Sequence, residues 1–99
     1  MLRLIKIRGD SLLPDFIEGD FVLISKIPFL IHSVNPGDVV VFRTPEYGTL
    51  IKKIERIDHK ARAIYVVGNH PQSVDSRWFG WIDYNQVMGK VIWRIAKLS

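Results

Sequence analysis

Thr49-Leu50-Ile51-Lys52-Lys53-Ile54-Glu55-Arg56-Ile57 decides the fold. Successive side chains of an extended chain point to opposite faces. Leu50, Lys52 and Ile54 therefore share one face, and Ile51, Lys53 and Glu55 share the other. Working outward, Leu2–Ile7, Phe21–Ser25, Asp38–Arg43, Ala63–Val67 and Lys90–Ile95 are also rich in Ile, Val and aromatic residues. Turn signals such as Glu18-Gly19-Asp20, Asn35-Pro36-Gly37-Asp38 and Pro45-Glu46-Tyr47-Gly48 separate them. Short helical turns are expected at Pro14–Glu18 and Asp83–Met88. Short strands at this spacing predict a mainly β fold, a small antiparallel and partly closed β-barrel. No repeat, low-complexity tract or linker divides the chain, so residues 1–99 read as one domain.

With 47% hydrophobic and 24% charged residues, 99 residues can build one core and not two. Cysteine is missing, which excludes a disulfide framework and a thiolate metal site and fits a reducing compartment. The net charge of +4 raises the question of an anionic partner. The basic residues are scattered, however, with no dense cluster or recognition helix, and read as a solvated surface and not a nucleic-acid interface. Met1 to Ile7 alternates apolar and basic residues and lacks the apolar core of a secretion signal. The longest apolar run, Ile27 to Ile31, contains Pro28 and falls far short of the roughly twenty residues that span a bilayer. A soluble, cytoplasmic protein is expected, with peripheral membrane association left open.

Upstream of the central strand lies Gly9-Asp10-Ser11-Leu12-Leu13-Pro14, then Glu18-Gly19-Asp20-Phe21-Val22-Leu23-Ile24. A serine hydroxyl becomes a nucleophile when a base takes its proton. A loop before a strand presents such a side chain well, with Gly9 allowing close backbone approach and Pro14 restricting the chain behind it. Ser11 reads equally as the cap of a helical turn ahead of Asp15-Phe16-Ile17. No G-x-S-x-G elbow supports an α/β-hydrolase. His32, His59 and His70 could each complete a Ser-His-Asp set, but His32 follows Phe29-Leu30-Ile31 in a loop and His59 sits in a turn. Lys52, flanked on its face by Leu50 and Ile54, is placed to lose solvation and with it part of its pKa of about 10.4. Lys53 shares its face with Glu55, which would keep an amine charged, and is expected to point outward.

Together these stretches resemble the signal peptidase I family of serine–lysine proteases. Its nucleophile region is usually G-x-S-M-x-P followed by G-D-x-V, and its base sits in a strand written Y-I-K-R-V, matched here by Leu50-Ile51-Lys52-Lys53-Ile54. Gly68-Asn69-His70-Pro71-Gln72-Ser73-Val74-Asp75-Ser76-Arg77-Trp78-Phe79-Gly80 resembles the family's G-D-N…N-S-x-D-S-R-x-x-G segment. The resemblance implies a catalytic core of the signal peptidase type, with Ser11 as nucleophile and Lys52 as general base. It further implies that Ser73 orients the lysine amine, that Asp75 and Arg77 pair to hold the loop, and that Gly80 permits its turn. Val87-Met88-Gly89-Lys90-Val91 is similar to the closing strand. No cofactor or metal is implied.

The departures shape the expected function. Leu12 stands where the family has methionine, and with Leu13 it is a candidate substrate contact. Gly9 occupies the position where bacterial enzymes often carry an oxyanion-stabilising serine, leaving the N–H of Ser11 as the named donor. Glu55-Arg56-Ile57-Asp58-His59 replaces G-x-P-G-D, and Asn69-His70 replaces Asp-Asn. Without a large inserted β-domain or membrane anchors, the chain resembles the small nickel-type superoxide dismutase maturation proteases. The expected activity is endoproteolytic removal of an N-terminal extension from a precursor, the partner being a precursor protein such as that of nickel superoxide dismutase. A non-catalytic β-barrel peptide-binding module on the same framework is the alternative. Autoproteolysis of the SOS-repressor type is disfavoured, since no Ala-Gly or Cys-Gly cleavage segment is present.

Overall fold

The computed structural model describes residues 2–7, 19–68 and 74–95. Seven antiparallel strands form one sheet. They are β1 (Leu2–Lys6), β2 (Phe21–Ser25), β3 (Val39–Thr44), β4 (Gly48–Asp58), β5 (Ala63–Val67), β6 (Ile82–Asp83) and β7 (Val87–Ile95). Their order across the sheet is β1-β2-β7-β3-β4-β5-β6. The central strand read from sequence is β4, the longest of the set, and it pairs Val40 with Lys52 and Phe42 with Leu50 on β3. The fold is thus mainly β and antiparallel, with a sheet that curls without closing between the described β1 and β6.

Both faces of the sheet carry apolar side chains, because alternate residues of the central strands are hydrophobic on each side. The larger core gathers Val40 and Phe42 of β3, Ile54 of β4, Ile64 and Val66 of β5 and Tyr84. The smaller one gathers Ile7, Val22, Ile24 and Val41, with Ile5 and Ile51 packed on it. Where β7 crosses β2, a Cβ at Gly89 would stand 3.0 Å from the backbone of Ser25. Only glycine allows that approach.

The turns differ from the sequence expectation at three places. Ile27–Leu30 forms a short helix, α1, with Pro28 in its first turn, where proline's missing N–H costs nothing. Ser76–Phe79 forms a second, α2, begun by the side chain of Asp75. The helical turn expected over Asp83–Met88 shrinks to a 3₁₀ turn at Tyr84–Gln86, capped by Asp83, and Val87 and Met88 join β7. Val87 pairs with Phe42 and is buried, so strand pairing claims the residue. The turn expected at Pro14–Glu18 lies outside the described residues.

Candidate active site

Lys52 sits in the middle of β4 opposite the fully buried Val40, and only 2% of its surface reaches solvent. The period-two pattern puts it there, on the face of Leu50 and Ile54. Burial pushes the amine below its ordinary pKa; Asp75 opposes this and Arg77 adds to it. Burial is the largest effect, so the neutral amine is reached more readily than in a lysine exposed to water. Lys53, expected to point outward, is half-buried and is not without a partner.

Asp75, wholly buried, is the anchor of the neighbouring turn. Its carboxylate accepts from the N–H groups of Gly68 and Arg77 at 2.9 and 3.0 Å, and from Arg77 Nε and Nη2 at 2.9 and 2.7 Å. Burial alone would raise its pKa, but the Arg77 side chain and the two backbone N–H groups outweigh burial and hold it below the usual carboxylate range. The side chain of Arg77 in turn is held more firmly protonated, first by its hydrogen bond to Asp75. One residue on, Ser76 Oγ accepts from the N–H of Val66 at 2.9 Å. Gly80 ends α2 at φ 80°, a left-handed conformation that favours glycine. The turn is therefore stitched to the end of β5 at Val66 and Gly68, alongside the strand that carries Lys52.

A cleft of about 240 Å³ opens between Ile5, Lys6 and Ile7 on one side and Thr49, Leu50 and Ile51 on the other, with Val41 beneath. Two unfinished ladders explain it. Among the described strands β1 pairs only with β2, so its other edge is open. β5 begins to pair with β4 at Lys53, so the same edge of β4 is open from Gly48 to Lys52. At the end of β1, Ile7 donates to the Asp20 carbonyl at 2.7 Å and accepts from the N–H of Gly19 at 3.0 Å. Asp20, nearly buried, lies 3.6 Å from Arg94 Nε. Ile7 and the Gly19-Asp20 pair are thus tied to each other by backbone bonds at the end of β1 that borders the cleft.

Residues 1–69 match the sequence profile of the family described as signal peptidase, peptidase S26. The chain belongs to this family. Signal peptidase I V of Bacillus subtilis (strain 168) is 32% identical to it over 68 residues, which are 64% of this chain and 40% of that protein. The chain therefore spans about 40% of that relative's length. The S26 match includes Lys52 and the cleft and ends at Asn69, so Asp75, Arg77 and Gly80 stand on the structure's own geometry. Of the residues singled out from sequence, Lys52, Asp75, Arg77 and Gly80 gather around β4 and the turn beside it. Ser11, Leu12, Leu13 and Ser73 lie outside the described residues.

Sequence reasoning missed several features near the site. The role of Asp20 as partner of Arg94 is one, since a lone G-D dipeptide does not announce its cation. The short helix α1 buries Phe29 in the core and leaves Leu30 and Ile31 exposed, which the apolar run Ile27 to Ile31 does not reveal. Among the described residues no group of three His, Asp or Glu side chains gathers to hold a metal, and no helix is long and apolar enough to cross a membrane.

Proposed function

We propose that the chain is a serine endopeptidase that cleaves an extended segment of a precursor protein, with Ser11 as nucleophile and Lys52 as general base. One observation carries the reading: a nearly solvent-free lysine with a lowered pKa stands where the open edge of β4 stops. A substrate strand added to that edge takes its backbone hydrogen bonds from Gly48–Ile51 and ends at the amine. Four residues of chain separate Ile7 from Ser11, a reach of at most about 14 Å, so a serine at that position can be delivered to the same cleft. The neutral amine takes the Ser11 proton as Oγ attacks the scissile carbonyl, then returns it to the leaving amine. The developing oxyanion has the Ser11 N–H as its named donor. Ser73, two residues before Asp75, is assigned to orient the amine, while the Asp75–Arg77 pair and Gly80 hold the turn. Leu12 and Leu13 are assigned to substrate contact.

The finer reading, removal of an N-terminal extension from the precursor of nickel superoxide dismutase, is supported by the resemblance in sequence to that group of proteases. Co-expression of the chain with this precursor, followed by mass spectrometry of the product's N-terminus, tests both levels. Wild type is expected to give a shortened product, and Ser11→Ala and Lys52→Ala the intact one. Identical products from all three proteins, across this and other candidate precursors, would remove the peptidase reading.

A further inference from the structure

Beyond the cleft, Tyr47, Trp78, Phe79 and Trp81 line a groove of about 340 Å³ whose floor includes Thr44 and Ile82. Trp78 is 73% exposed, and Tyr47 and Trp81 are each 44% exposed. Three large aromatic side chains left partly in water on one small surface forgo burial that would stabilise the fold. Such patches mark recognition sites. Glu46 is the one charged residue in the lining. Arg77, beside Trp78, is engaged by Asp75, and Arg56 by Glu55 at 3.8 Å and by the faces of Tyr65 and Trp81 at 4.5 and 5.4 Å, while Arg43, next to Thr44, falls on the other face of β3 with Val41. Trp81 thus already receives a guanidinium on one side.

We propose that this groove is an exosite for a cationic side chain, lysine or arginine, of the polypeptide bound in the cleft. The inference rests on the peptidase reading for the identity of that polypeptide. Electron-rich ring faces with one carboxylate and no basic residue in the lining suit a cation over a neutral or acidic residue. Continuity comes from β4: Tyr47 immediately precedes the strand, whose next residues, Thr49 and Leu50, line the cleft. On the other wall Trp78 follows Asp75 by less than one helical turn. Tyr47 to Lys52 is roughly 17 Å of extended chain. The recognised cation therefore lies about five residues from the scissile bond.

The probes are two acetylated nonapeptides of Gly, Ser and Val, one with a central lysine and one with norleucine. The readout is the indole N–H signals of the full chain in NMR titrations. Trp93, 67% exposed on β7, serves as the internal control. The lysine peptide is expected to move the Trp78 and Trp81 signals and to bind about three- to tenfold more tightly than its norleucine twin. In Glu46→Gln and in Trp78→Ala that preference falls toward one. Equal affinities in the wild type, or shifts confined to Trp93, would overturn the exosite. The two readings fail separately. If Ser11→Ala and Lys52→Ala process precursors as wild type does while the lysine preference persists, the peptidase reading is lost and the groove stands as a lysine-binding site.

Discussion

Among the described residues two lysines have their pKa lowered by burial, and they end in different company. Lys26, just after β2, donates to the carbonyls of Tyr84 and Val87 at 2.6 and 2.7 Å and lies 5.9 Å from the centre of the Phe29 ring. Burial lowers its pKa, and Asp83 resists that. Lys52 is likewise lowered by burial, but it faces an apolar strand surface and an aspartate already committed to an arginine. A lysine with two carbonyl acceptors is a structural clamp that closes the 3₁₀ turn onto β7. A lysine with depressed basicity, one residue along β4 from the cleft-lining Ile51, is the one proposed above as a base. The two differ in burial, Lys52 being almost solvent-free and Lys26 half-buried, and in company, Lys26 alone being shown bonded to two carbonyls.

The largest expected effect divides them by activity. Lys52→Met should lower kcat/KM on a cleaved precursor by at least about 10³-fold, since nucleophile and base act as one unit. Lys26→Met should leave the chemistry in place. Methionine fills the volume of Lys52 without a buried amine, so the fold should survive, as circular dichroism and thermal melting can establish. An active Lys52→Met protein would return Lys52 to the structural class.

Stability separates the regions in the opposite sense. Asp75→Ala strips the acceptor from two backbone N–H groups and from the start of α2, and should cost about 2–4 kcal/mol in chemical denaturation. The guanidinium of Arg77 is left out of that figure because it stays partly in water. Lys26→Met orphans two carbonyls at the opposite region and should cost about 1–3 kcal/mol. If Asp75→Ala melts like the wild type, the turn beside Lys52 is not held by this carboxylate.

The sequence made the Lys52 region more legible than the Lys26 region, for a physical reason. Period-two alternation assigns a side chain to a face, so Leu50, Lys52 and Ile54 could be placed together without coordinates. The same rule placed β2 and β5 within their observed bounds. It is silent on which side-chain amine meets which distant carbonyl, so the clamp from Lys26 to Tyr84, 58 residues away, left no local signature. The two short helices were missed because each depends on one cap or one proline, not on a repeated pattern. The Asp75–Arg77 pair was implied by the family resemblance and not by spacing, since an aspartate two residues from an arginine is unremarkable by itself. The aromatic groove needed the β3–β4 turn and α2 to be brought together, which no single stretch of sequence announces.

The smallest effect sharpens the comparison most, because it asks whether Asp75 acts on Lys52 by charge as well as by architecture. Asp75 raises the basicity of Lys52, while burial and Arg77 lower it. In a peptidase whose base is a neutral amine, activity rises with pH as Lys52 loses its proton, through a limb lying below the ordinary lysine value. Asp75→Asn keeps the size and a hydrogen-bond acceptor but removes the negative charge, so the ammonium loses its favourable neighbour and the limb should move to lower pH. Stability carries a matching sign. The folded chain releases the Lys52 proton more readily than the unfolded chain, so stability contributed by this group rises with pH between the two pKa values. Asp75→Asn should extend that rising window toward lower pH, while Lys52→Met should flatten it. The measurement is kcat/KM across pH for the wild type and Asp75→Asn, with denaturation curves on the same samples. A limb that moves upward, or one that stays fixed while overall activity falls, would leave Asp75 as a cap for α2 and nothing more.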